Sequence, residues 1–283
     1  MKINRVGFVG LGAMGSVMSP LLAKAGYQVL GYDLIAKIEK SSGVKQLDTL
    51  DGFVEIDAVI LMLPNSKIVS EVTTKLLELN SQFIIIDMSS SDPRETKKLG
   101  NIISSKGLKF IDAPVSGGVS RAKIGDLMIM AGGNEEDISE VNDLLSIMGT
   151  VQYAGPLGSG HAIKALNNYV SAAGLIASFE ALKTARSFGI KPENFLKIIN
   201  GATGKNNTTE VKLDKFVVSE KFNSGFALDL MVKDVSIANS LIKDLSSDSP
   251  LSNDVRNYLS KSLDLLGDNP DHTEVYKVIK KIT

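Results

Sequence analysis

The 283-residue chain contains no cysteine and no tryptophan, and only two histidines. Without cysteine there are no disulfides, no thiolate nucleophile and no Cys-ligated zinc. Two histidines do not make a His-rich metal site, so no metal is expected. An excess of one charge is missing too: 31 Lys and Arg stand against 32 Asp and Glu. That balance offers no global attraction for nucleic acid or an anionic membrane. No apolar run approaches 18 residues, so no membrane span is expected. Met1-Lys2-Ile3-Asn4-Arg5-Val6 leads straight into a strand without a signal-peptide core. The expected compartment is the cytoplasm.

What is present begins with strand, glycine turn, helix, strand, acid. Arg5-Val6-Gly7-Phe8-Val9 reads as a short buried strand and Gly10-Leu11-Gly12-Ala13-Met14-Gly15 follows it. A helical run through Leu21, Leu22 and Ala25 leads to a second strand over 27–32, which ends at Asp33. Glycines in this pattern let the backbone turn tightly and approach a pyrophosphate at the positive end of a helix. The acid at the end of the second strand suits a ribose 2′-hydroxyl. A carboxylate there repels a 2′-phosphate, and Leu34-Ile35-Ala36 supplies no arginine to hold one. NAD is therefore expected over NADP.

Strands then alternate with helices: strands at 57–63, 82–87, 108–113, 126–131 and 150–153, helices at 68–79, 94–105 and 135–147. This alternation predicts a Rossmann-type, doubly wound parallel sheet. Ligands in such sheets lie beyond the carboxyl ends of the strands. The loops Gly10–Gly15, Leu63–Ser66 and Met88–Ser91 should therefore face a cofactor. The loop after 108–113 carries Ser116-Gly117-Gly118, a hydroxyl with unshielded backbone N–H groups that suit a carboxylate, and Arg121 follows.

Past Gly155-Pro156-Leu157-Gly158-Ser159-Gly160 the pattern changes, with only helical periods at about 160–188, 192–200, 208–219, 227–246, 252–266 and 272–281. Two domains are expected: 1–157, dinucleotide-binding, and 158–283, all-helical and suited to substrate binding and oligomerisation, with a long interdomain helix joining them. A homodimer or homotetramer is expected. That helix is apolar nearly all round, which predicts burial on every face. Lys164 is the one charge in its first half, with Asn168 one turn on along the same face. A lone lysine in such a helix needs a partner or a task. His161, a turn earlier, reads as a capping or packing residue.

Taken together, these residues resemble the β-hydroxyacid dehydrogenase family, nearly end to end. Residues 7–15 (GFVGLGAMG) are similar to its cofactor signature, 112–118 (DAPVSGG) to its substrate signature, 158–168 (GSGHAIKALNN) to its catalytic signature and Lys233-Asp234 to its late cofactor-contact motif. The resemblance implies an NAD-dependent oxidoreductase that interconverts a small β-hydroxyacid and its semialdehyde. It implies Lys164 as general acid/base, with Ser116, Gly117, Gly118 and Asn168 holding substrate. Gly10, Leu11, Gly12, Ala13, Met14, Asp33, Leu63, Pro64, Ser90 and Lys233 would contact the cofactor. Such a lysine takes the hydroxyl proton on oxidation and returns it on reduction.

Departures narrow the reading. Asn167-Asn168 replaces the His-Asn of the resembling 6-phosphogluconate dehydrogenases, which argues against decarboxylation of a phosphorylated sugar acid. Lys164 argues against the imine reductases of similar fold. The stretch 204–209 (GKNNTT) is polar and lacks aromatics, which points to a more hydrophilic substrate. Tartronate semialdehyde and sulfolactaldehyde are examples, with Arg121 or Lys205 serving a second acidic group. The other class of reading is a catalytically inactive module that binds NAD or a partner.

Overall fold

The computed structural model describes residues 3–246 and 249–279. It divides into two compact units, Met1–Lys164 and Ala165–Thr283. The first unit is built on nine strands: β1 (Arg5–Val9), β2 (Gln28–Tyr32), β3 (Lys45–Leu47), β4 (Ala58–Leu61), β5 (Ile84–Asp87), β6 (Lys109–Asp112), β7 (Val115–Ser116), β8 (Leu127–Gly132) and β9 (Gly149–Gly155). They pair in the order β3-β2-β1-β4-β5-β6-β8, with β7 and β9 both on β8. The chain leaves β1 toward β2 and β3, then returns to β4 on the other side of β1, so the topological switch point lies between β1 and β4.

The sheet is parallel-dominated, as expected, but β8 runs antiparallel to β6 and β7. The cause is the connection. A parallel return needs a crossover of a dozen or more residues, commonly a full helix. Between β6 and β8 the chain first lays down β7, which pairs antiparallel with β8, and its sole helix is the five-residue α4 (Gly118–Ala122), too short to cross back over the sheet. The edge strands β3 and β7 were not expected. Lys45-Gln46-Leu47 has no apolar alternation to betray it, and β7 is two residues long.

Helices α1 (Gly15–Lys24), α2 (Ser66–Glu78), α3 (Pro93–Ser105) and α5 (Glu135–Ser146) cover the sheet. Period-two alternation divides the strand side chains between its faces. Val6, Phe8, Ala58, Ile60, Ile84 and Ile86 enter one core. Val9, Val59, Leu61 and Ile85 enter the other. Strands buried on both faces account for the continuous apolar runs in the sequence.

Helix α6 (Ser159–Ser187) spans 29 residues and contains the division between the units. Burial on every face is not what it shows. Ile163, Leu166 and Val170 form an apolar row that is 42, 38 and 67% exposed. One side of the helix is packed and the facing row is left open.

The second unit is helical, and among its described residues the sole strand-like feature is an isolated bridge between Ala227 and Asp271. Its core gathers Leu175, Phe179 and Leu182 of α6 with Leu213, Met231, Val235, Leu259 and Tyr276. The rings of Phe179 and Tyr276 meet edge to face at 5.6 Å. After α7 (Pro192–Asn200), the helix expected at 208–219 is a π-helix, Thr208–Val218. Then come α8 (Leu228–Ser246) and α9 (Pro250–Leu266). The expected helix at 272–281 is a 3-10 turn, His272–Glu274, followed by α10 (Val275–Val278); positions 280 and 281 lie outside the described residues.

Asp271 opens that turn with a capping box, its side chain accepting from Thr273 N while Glu274 closes back on Asp271 N. His272 beside it is buried, and its Nδ1 donates to the Phe226 carbonyl. Burial, reinforced by the Lys212 ammonium, pushes the imidazole down to about 4 from 6.5, against the pull of Asp271. The unfolded chain therefore takes up this proton first as pH falls, and stability is lost between about 6.5 and 4. The loss reaches about 3 kcal/mol. Chemical denaturation should show this slope in the native protein and a shallower one in His272→Gln. Parallel pH profiles for the two proteins would contradict it.

Candidate active site

The glycine turn after β1 divides its residues between packing and openness. Gly10 has φ +96°, and a Cβ there would sit 2.1 Å from the Met62 carbonyl oxygen. A Cβ on Gly15 would meet the Gly10 carbonyl oxygen at 1.8 Å. Both glycines are demanded by the fold itself. Gly12 is different: its added Cβ would find nothing within 4 Å, and Gly12 and Ala13 are exposed. The N-terminus of α1 has no side-chain cap and no acid in its first turn. By contrast Asn65, Asp92 and Asn134 cap α2, α3 and α5. An open glycine before an uncapped helix start is the arrangement that admits a pyrophosphate.

Asp33 stands at the end of β2. One carboxylate oxygen accepts from Leu11 N at 2.7 Å, and the other from Ile35 N and Ala36 N, each at 2.8 Å. Partial burial works to raise its pKa, but these three N–H donors and Lys37 outweigh it and hold the carboxyl below the usual range. Asp33 is thus an ionised acceptor set against the glycine turn, with one lone-pair site on Oδ2 remaining for a ribose hydroxyl. Leu11 contributes through its backbone, since its side chain is buried in the core.

The loops after β4 and β5 are tied together by Ser89, whose hydroxyl accepts from Leu63 N at 2.9 Å. Asp87 anchors that second loop, accepting from Ser89 N and from the Ser91 hydroxyl. Ser89 and Ser91 face inward, while Ser90 is half-buried and Pro64 exposed. These residues sit at the carboxyl ends of β4 and β5, on the β4 side of the switch point.

Asp112, at the end of β6, is fully buried. It accepts from Gly158 N at 2.7 Å and His161 N at 2.8 Å, and so caps the start of α6 with a charge. Gly160 allows the contact, because a Cβ there would lie 2.1 Å from the Met130 carbonyl oxygen. His161 is buried; its Nδ1 lies 2.8 Å from Thr96 Oγ1 and its Nε2 3.2 Å from the Ser89 carbonyl. It packs beneath the loop that carries Ser90. Lys164 follows in the second turn of α6, half-buried.

Gly117 and Gly118 have φ of +141° and +68°, the region glycine favours. A Cβ on Gly118 would meet nothing within 4 Å, so the turn after Ser116 is open. Arg121 pairs with Asp126 at 2.9 Å, and Lys205 with Glu210 at 2.7 Å, all four side chains about half exposed.

In the second unit, Asn168 is buried and its amide donates to Asp234 Oδ2 at 2.6 Å. Lys233 Nζ lies 3.4 Å from Asp234 Oδ1. The Lys233-Asp234 pair, which by itself reads as solvated, therefore has its acid buried against Asn168. Sequence reasoning missed Asp112, Ser89 and Asp234 as supports, because residues far apart in the chain supply their partners.

Two family models cover most of the chain. The one described as the NAD binding domain of 6-phosphogluconate dehydrogenase matches residues 5–155. The one described as NAD-binding of NADP-dependent 3-hydroxyisobutyrate dehydrogenase matches 158–279. The chain is 33% identical over 246 residues to 2-(hydroxymethyl)glutarate dehydrogenase of Eubacterium barkeri, covering 84% of this chain and 82% of that one. It is 34% identical over 248 residues to the mitochondrial 3-hydroxyisobutyrate dehydrogenase of Rattus norvegicus, covering 82% and 74%. Among solved structures, the Mycobacterium tuberculosis 3-hydroxyisobutyrate dehydrogenase with L-serine superposes with a TM-score of 0.90 at 28% identity, covering 99% of this chain and all of that one. The chain belongs to the β-hydroxyacid dehydrogenase family, NAD(P)-binding oxidoreductases that act on small hydroxyacids. No helix among the described residues is long and apolar enough to cross a membrane.

The two kinds of glycine in the first turn respond differently to substitution. Gly10→Ala should lower stability by about 3 kcal/mol, through the clash and the positive φ. Gly12→Val should leave the melting temperature within a few degrees yet abolish NAD binding in a fluorescence titration. Retention of normal NAD affinity by Gly12→Val would remove that residue from the cofactor site.

Proposed function

We propose that the protein oxidises a small β-hydroxyacid to its semialdehyde, reversibly, with NAD preferred over NADP and Lys164 as general acid/base. The observation that carries this reading is the pairing of an open, uncapped glycine turn with a two-part family match running from residue 5 to residue 279. NAD supplies the hydride acceptor. Gly10, Leu11, Gly12, Ala13 and Met14 would hold its pyrophosphate, Asp33 its ribose, and Leu63, Pro64, Ser90 and Lys233 the remainder. Ser116, Gly117 and Gly118 would take the substrate carboxylate on a hydroxyl and backbone N–H groups.

Lys164, as the neutral amine, removes the hydroxyl proton from substrate as hydride departs; in reduction its ammonium returns that proton to the forming alkoxide. Asn168 orients substrate from the next turn of the same helix face, its own amide held by Asp234. Asp33 supports NAD over NADP, because an ionised carboxylate already held by three N–H groups repels a 2′-phosphate.

Lys164→Ala should reduce kcat by about 10²- to 10⁴-fold while NAD affinity stays within a few-fold. The assay is nicotinamide absorbance with β-hydroxyacids and their semialdehydes. A variant that keeps most of its rate would show that another group moves the proton. Asp33→Arg should shift the ratio of kcat/KM toward NADP by at least tenfold, and an unchanged coenzyme ratio would refute that role.

A further inference from the structure

The π-helix Thr208–Val218 delivers a second lysine, Lys212, to α6. Its Nζ donates to Ser171 Oγ at 3.4 Å. Ser171 is seven residues after Lys164 and three after Asn168. At about 100° per residue these three positions fall within an arc of about 60° on one face of α6, about 10 Å from end to end. Helical stretches of π type are rare and concentrate at functional sites.

Lys212 is half-buried, and among the described residues that bond to Ser171 is its one hydrogen bond; it makes no ion pair. The acid that attracts it, Asp271, is engaged elsewhere. Its two oxygens accept from Ser224 Oγ, Gly225 N, Thr273 N and Thr273 Oγ1, at 2.6–2.9 Å. Burial pushes the Lys212 ammonium down to about 8, only partly offset by Asp271. A cation withdrawn from water without a counter-ion is costly unless a ligand provides one. Ser171 Oγ, accepting from Lys212, keeps its own proton to donate to the same anion. Arg121 and Lys205, the charges first considered for a second acidic group, already have Asp126 and Glu210 as partners.

We propose that Lys212, with Ser171, is a specificity-determining pair that binds a second carboxylate on the substrate, so that the preferred substrates are β-hydroxy dicarboxylates. This assignment rests on the proposed role of Lys164 on the same helix face. Two compounds isolate it. In 3-hydroxyisobutyrate the carbon bearing the hydroxymethyl group carries a methyl; in 2-(hydroxymethyl)glutarate it carries a carboxyethyl arm instead. The reacting alcohol and the first carboxylate are the same.

The native enzyme should favour the dicarboxylate in kcat/KM. Lys212→Met should reduce kcat/KM for it by about 10- to 100-fold, mostly in KM, the range for losing a charge-assisted hydrogen bond. It should raise kcat/KM for the monoacid, because the methyl group then meets a thioether in place of an ammonium. A ratio between the two substrates that stays within twofold of the native value overturns the assignment, as does a native preference for the monoacid. If the native enzyme oxidises neither compound but turns over another β-hydroxyacid, this assignment alone falls; if it binds NAD and turns over no β-hydroxyacid, the dehydrogenase reading of the site falls with it. Turnover with an unmoved ratio removes Lys212 alone. Should Lys212→Met fail to fold, Lys212→Gln and Ser171→Ala decide the matter by the same ratio.

Discussion

A buried carboxylate at the start of α6 is the constraint on which the first unit turns. Asp112 accepts two backbone N–H groups from the opening of α6 and has no exposure to water. A carboxylate so placed is satisfied because the helix start offers unpaired N–H donors. Gly160 follows from the same contact, since a methyl there would collide with the β8 backbone. His161 completes it, reaching Thr96 on one side and the Ser89 carbonyl on the other. Ser89 in turn holds the Leu63 amide. A continuous polar network therefore links the helix that bears Lys164 to the two loops on the β4 side of the switch point.

Asp112 also bears on the field at the start of α6. A lysine near a helix N-terminus ordinarily feels a positive field that disfavours its ammonium. Here Asp112 places a negative charge at that terminus. At Lys212, in the second unit, burial lowers the ammonium to about 8.

Glycine shows how one residue type serves two ends. Gly10, Gly15 and Gly160 are compelled by neighbouring backbone oxygens that leave no room for a side chain. Gly12 and Gly118 face open space. In the sequence the two kinds look alike, and a motif treats them as one. Only coordinates separate glycines that fold the turn from glycines that leave a surface bare for a ligand.

The alternation of strand and helix, the all-helical second half and the glycine turn with Asp33 could be read from the chain because each is a local pattern, set by period, turn chemistry and spacing. The family resemblance was legible for the same reason, as four short motifs in order. The antiparallel direction of β8, the edge strands β3 and β7, and the exposed row on α6 could not be read, since each depends on how far a connection reaches or which side of a helix finds a neighbour. Charge assignment divided in the same way. The chain put forward Arg121 and Lys205 for a second acidic group and did not single out Lys212. Tertiary structure gave those two acidic partners and set Lys212 beside a serine, because pairing is decided by distance in space, and sequence separation carries no information about it.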